Sequence, residues 1–85
     1  MRFGITPREW GDFFEDALVQ IRTAEKTGYD SVWFEEHHEH SGYLPAPLHA
    51  LAAVSMHTKL RLGTNVVILP LHNPFALAEE IAQLD

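Results

Sequence analysis

Apolar positions along the chain fall into two kinds of run. Residues 2–6, 31–34 and 60–69 are rich in β-branched and aromatic side chains, the composition of strands. The last of these ends in the unbroken apolar stretch 66–69, as expected of a parallel strand covered on both faces. Elsewhere apolar residues recur at helical spacing. Phe14, Leu18, Ile21 and Ala24 mark a first helix, with Asp12 and Glu15 as a capping-box-like start and Gly28 placed to end it in the left-handed region. Leu48, Leu51, Ala52 and Ser55 mark a second, spanning residues 47–58. A third opens with Asn73 as N-cap and Pro74 at the first helical position, where the missing N–H is no loss. Leu77, Ala78, Ile81 and Leu84 form its apolar stripe.

The order is therefore β-α-β-α-β-α. Strands start near positions 2, 31 and 60, a period of about 29 residues, and such alternation gives a parallel sheet with right-handed crossovers. Eight units of this length would make ~240 residues, the size of a closed (β/α)₈ TIM barrel. The expected fold class is α/β: the N-terminal three βα units of such a barrel, in one unit over residues 1–85 with no internal boundary. Three parallel strands leave two open edges, and a helical ending with no strand after it suggests truncation. The expectation is a piece of a longer protein, or a chain that self-associates through its edges into a homo-oligomer.

Twelve acids against six bases give a net charge of −6, with no run of Lys or Arg. Phosphate backbones demand clustered positive charge, so nucleic acid is excluded as a partner. The absence of cysteine removes disulfides, thiolate catalysis and Cys-type zinc sites. No signal-peptide pattern and no stretch of roughly 20 apolar residues is present, so no membrane partner is expected and the cytoplasm is the default location.

Chemistry in such barrels gathers where strands end and βα loops begin. Three places qualify: residues 6–10, residues 35–43 and the later part of the third strand. Glu35-Glu36-His37-His38-Glu39-His40 is the densest. A histidine titrates near neutrality and serves as general acid or base. Neighbouring side chains alternate in direction, so one of His37 and His38 should face the mouth while the other packs or caps the loop. A solvated, charged loop remains an alternative. So does a metal-dependent barrel hydrolase using the pair His38 and His40, although no His-Glu-x-x-His helix accompanies it and no metal ligand is assigned. In the third strand, Gly63 suggests a bulge or close approach, and Asn65 interrupts an apolar run. Trp33, Phe34, Phe13 and Phe14 are expected in the core. His49 and His57 are expected on the second helix pattern, and His72 as a turn residue.

Trp33-Phe34-Glu35-Glu36-His37-His38, Leu60-Arg61-Leu62-Gly63-Thr64 through Pro70, Asn73-Pro74 and residues 78–85 together resemble the bacterial luciferase-like monooxygenase family. Arg2-Phe3-Gly4-Ile5 is similar to that family's first strand. The resemblance implies a barrel binding reduced FMN, delivered by a separate flavin reductase, and using molecular oxygen to oxidise a small organic substrate. A deazaflavin-dependent dehydrogenase or reductase on the same barrel is the alternative. The resemblance makes His37 the active-site histidine and His38 its supporting neighbour. It places a bulge with a non-proline cis peptide at Asn65-Val66, so Thr64, Asn65 and Val66 become the floor under the flavin ring. The family's phosphate-binding residues lie in later strands, so the resemblance makes an FMN-dependent enzyme of the full-length protein. It leaves the 85 residues alone undecided between a part of that enzyme and a non-catalytic fragment.

Overall fold

The computed structural model describes residues 1–8 and 14–85. Its elements run β1 (Gly4–Ile5), α1 (Phe14–Lys26), β2 (Ser31–Phe34), α2 (Pro47–Ser55), β3 (Arg61–Thr64), the 3₁₀ turn Leu69–Leu71 and α3 (Pro74–Leu84). The three strands form one parallel sheet in the order β1-β2-β3. The α/β class and the parallel register are thus as expected, with β1 and β3 as the edges among the described residues.

The helix ends follow from local chemistry. At the end of α1, Gly28 adopts φ 91°. Its N–H donates to the Glu25 carbonyl (3.3 Å), and the Tyr29 N–H to the Ala24 carbonyl (3.0 Å), the Schellman pattern that satisfies terminal carbonyls. At the start of α3, the Asn73 side chain accepts from the N–H groups of Phe75 and Ala76 at 3.0 and 3.1 Å, relieving two donors that no helical carbonyl can reach. Helix α2 stops at Ser55, short of the expected residue 58, so His57 falls beyond it. There the His57 Nδ1 lies 3.4 Å from Arg22 Nη2, and its ring meets Phe14 edge-on. The expected cap Asp12, together with Phe13, lies outside the described residues.

One layer of core joins the sheet to the helices. Val32 and Phe34 of β2 pack with Leu18 and Ile21 of α1 and Leu51 and Val54 of α2. Alternation along β2 sends Val32 and Phe34 to the helices and Trp33 to the other face. Trp33 is therefore 40 % exposed rather than in the core, and Phe14, at the start of α1, is 37 % exposed, which corrects both expectations of core burial. The Trp33 indole lies across the bare face of the sheet between Gly4 and Gly63, and its Nε1–H donates to Ser31 Oγ at 2.8 Å. Any side chain at either glycine would overlap the ring.

The third strand differs most from its sequence pattern. It ends at Thr64, and the Asn65-Val66 peptide that follows is cis. The run 66–69 is not a covered strand: Val66 is 59 % and Leu69 66 % exposed. Its backbone groups bond elsewhere. The Val66 carbonyl accepts from Glu36 N–H at 3.1 Å, and Ile68 N–H donates to the Glu36 side chain at 2.8 Å. Pro70 has no N–H to give a ladder.

Candidate active site

Both loops of interest leave the carboxyl ends of neighbouring parallel strands. Asn65 N–H donates to the Phe34 carbonyl at 2.8 Å, and Glu36 N–H to the Val66 carbonyl. The histidine-rich loop and the Asn65-Val66 segment are therefore stitched together at one end of the sheet. After β2 the chain turns, with Glu39 at φ 53°, and returns so that Leu44 bridges Glu36 and accepts from His37 N–H at 3.1 Å.

The two adjacent imidazoles part company. His37 Nε2 lies 3.0 Å from Glu35 Oε2. A carboxylate only accepts, so this bond selects the Nε2–H tautomer and leaves the Nδ1 lone pair as the basic site of the neutral ring. The Tyr43 ring covers His37 at a centroid distance of 4.2 Å, and Tyr43 also meets His40 edge-on at 4.9 Å. His38 Nε2–H instead donates to Glu36 Oε1 at 2.8 Å. The two imidazoles are about equally exposed but take different carboxylates, His37 that of Glu35 and His38 that of the buried Glu36. His38 and His40 have different hydrogen-bond partners. His40 Nδ1 accepts from Gly42 N–H at 2.9 Å, and among the described residues no group of three His, Asp or Glu side chains is arranged to hold a metal ion.

Glu36 is the residue that sequence reasoning missed. It is 3 % exposed, the buried charged residue at the centre of the loops. Its carboxylate accepts from His38, from Ile68 N–H and, through both oxygens, from His72 Nε2–H at 3.0 and 2.9 Å. Burial alone pushes its pKa up. The bonds from His38, Ile68 and His72, with the charge of His72, outweigh burial and bring it from 4.5 down to about 2. His72 is thus more than a turn residue. A signal for Glu36 was present: counting by twos along β2, Val32, Phe34 and Glu36 share the buried face, and a carboxylate there needs partners.

Of the expected floor residues, Asn65 and Val66 lie beside the histidine loop. Thr64 precedes them as the last residue of β3. It pairs with Phe34 in the sheet register and lines a groove with Leu48, Leu51, Ile81, Leu84 and Asp85, on the helix side. Residues 6–8 are described, but the rest of the first candidate loop, including Trp10, lies outside the described residues.

Polar groups gathered at the carboxyl ends of parallel strands mark the ligand-binding end of α/β enzymes, open or closed. The chain belongs to the luciferase-like monooxygenase family, whose model matches residues 4–85. It is 36 % identical over 74 residues to a luciferase-like monooxygenase of Escherichia coli K12, covering 85 % of this chain and 22 % of that protein. It is 39 % identical over 71 residues to the alkanal monooxygenase alpha chain of Photorhabdus luminescens, covering 80 % and 20 %. It is 40 % identical over 63 residues to the 4-hydroxyprotoasukamycin monooxygenase of Streptomyces nodosus subsp. asukaensis, covering 72 % and 17 %. The chain thus spans about a fifth of the length of the relatives it matches. Among the described residues, no helix is long and apolar enough to cross a membrane.

Proposed function

We propose that the protein carrying this chain is a flavin-dependent monooxygenase, and that residues 1–85 supply one side of its ligand mouth as the first three βα units of a TIM barrel. The observation that carries this reading is the bond from Glu36 N–H to the Val66 carbonyl. It joins the loop that carries His37 to the Asn65-Val66 segment, in a chain whose relatives are named monooxygenases.

The residues present fit the ring of FMN rather than its phosphate. A flat, largely apolar ring with polar edges needs an apolar surface flanked by hydrogen-bonding groups. Val66 offers exposed apolar surface next to the Asn65 amide, and the loop bonded to it carries the His37–Tyr43 pair. The phosphate would be held by residues outside this chain. Reduced FMN, when bound, supplies the electrons for oxygen activation, which is cofactor chemistry. The chain's own part is narrower. His37 holds or accepts a proton at Nδ1, with Glu35 fixing its tautomer and Tyr43 limiting water on one face of the ring. His38 acts through Glu36 to hold the loop that carries His37. Asn65 and Val66 line the floor, and Thr64 supports it from behind. Partners in this reading are a small organic substrate, molecular oxygen and a separate flavin reductase, in the cytoplasm.

Titration of the intact protein with FMN and with a deazaflavin, followed by ring absorbance and fluorescence, tests this. FMN should bind and support oxygen-dependent turnover, and His37→Ala should cut turnover about a hundredfold or more, the scale of a lost acid–base group, while FMN still binds. Failure to bind any flavin overturns the reading. Binding of the deazaflavin alone would replace the monooxygenase with a hydride-transfer enzyme.

A further inference from the structure

We infer that Glu36 is a positioning residue: its carboxylate clamps Ile68 and His72 to the histidine loop, so that the stretch following the backbone-held Asn65-Val66 floor is fixed to the loop that carries His37. The His37 end rests on backbone. His37 is the next residue in the chain, and its N–H is tied to Leu44 opposite the Glu36 bridge. The floor end rests on Glu36. Its backbone N–H takes the Val66 carbonyl, and its side chain takes Ile68 N–H. His72, the last residue before the α3 cap, closes the far end of the segment on both carboxylate oxygens. One residue thus fixes both halves of a stretch that no strand or helix holds between Thr64 and Leu69: its backbone takes Val66 and its side chain takes Ile68.

The chemistry favours this role over catalysis. A carboxylate of a residue only 3 % exposed and saturated by donors has no exposed lone pair to offer a substrate. Charge-assisted bonds to a fixed acceptor are shorter and stiffer than neutral ones, which suits a group that sets distances. Met by an aliphatic side chain instead, Ile68 N–H would be an unpaired donor and His72 would lose its anchor. The role toward a ring ligand rests on the flavin reading above; the clamp itself does not.

The test is amide hydrogen exchange on the intact protein and its Glu36→Ala variant. Exchange at Ile68 should accelerate about tenfold or more, the effect of losing one bond to a charged group, while Val32 and Phe34 in β2 keep their protection. An unchanged Ile68 rate overturns the clamp. Should Glu36→Ala also strip protection from β2, Glu36→Gln decides: it keeps the volume and one oxygen but cannot serve both Ile68 N–H and the His72 and His38 donors. Faster exchange over residues 66–72 with β2 intact supports the clamp, and wild-type rates throughout overturn it. The second arm reads the visible circular dichroism of FMN at saturation. A displaced floor changes the shape of that spectrum, whereas a merely less stable fold lowers only its amplitude. An unaltered shape overturns the positioning role. Wild-type protein that binds no FMN sinks the flavin reading and leaves the exchange arm to judge the clamp.

Discussion

Replacing Gly63 with alanine tests how the bare face of the sheet is packed. A Cβ at Gly63 would sit 2.5 Å from Cζ3 and 2.6 Å from Cε3 of Trp33, against the ~3.5–4 Å of an optimal carbon contact. The indole must retreat by about 1 Å. Sideways retreat is closed, because Nε1 is bonded to Ser31 Oγ at 2.8 Å and already lies against Gly4, where a Cβ would be 2.6 Å from it. The ring can only lift outward. Overpacking costs about 1–3 kcal/mol, and a broken Nε1–Oγ bond adds ~0.5–1.5 kcal/mol. Gly28, not Gly63, is the positive-φ glycine of the described residues, so alanine strains no backbone here and restores ~0.4–1 kcal/mol through the unfolded chain. The net loss should be roughly 0.5–4 kcal/mol. Urea unfolding of the wild type, Gly63→Ala, Trp33→Leu and the double variant closes a cycle. The alanine should cost less than about 0.5 kcal/mol when leucine replaces the indole. An equal cost in both backgrounds would refute the steric account.

Two further outcomes follow from single groups. Asn73→Ala should destabilise the protein by about 1 kcal/mol in thermal or urea unfolding, because it strips the acceptor from the Phe75 and Ala76 N–H groups; Asn73→Ser should recover most of the loss, and an equal loss in both would discount capping. Glu36 has a folded-state pKa of about 2 against an ordinary 4.5, so its carboxylate contributes stability that is fully present above pH 4.5 and drains away as pH falls toward 2. Unfolding free energies measured across that window should fall more steeply for wild type than for Glu36→Gln, and parallel curves would show that Glu36 is not the titrating group.

The candidate site was legible only in part, and the reasons are physical. His37 and His38 stood out because imidazoles at a strand end are scarce and chemically pointed. Asn65 stood out because an amide interrupts an apolar run. Glu36 hid among the acids of a polar loop, where charge suggests solvent. Burial of that charge depends on His72, thirty-six residues later in the chain, and sequence spacing carries no sign that the two meet. Trp33 misled in the opposite sense. Large aromatics belong to cores by composition, yet the alternation of β2 gave the helix-facing side to Val32 and Phe34.

Local rules, acting within a few residues, determined much of this protein from sequence alone. Periods of two and 3.6 set the order of strands and helices, Gly28 ended α1 through its φ, and Asn73-Pro74 opened α3 through capping. Tertiary structure decided where β3 stops, which face Thr64 takes and why a carboxylate sits buried at Glu36. Those outcomes turn on hydrogen bonds between segments distant in the chain. Ile68 N–H and the Val66 carbonyl chose the β2 loop over a continued strand, and no apolar pattern within residues 66–69 encodes that choice.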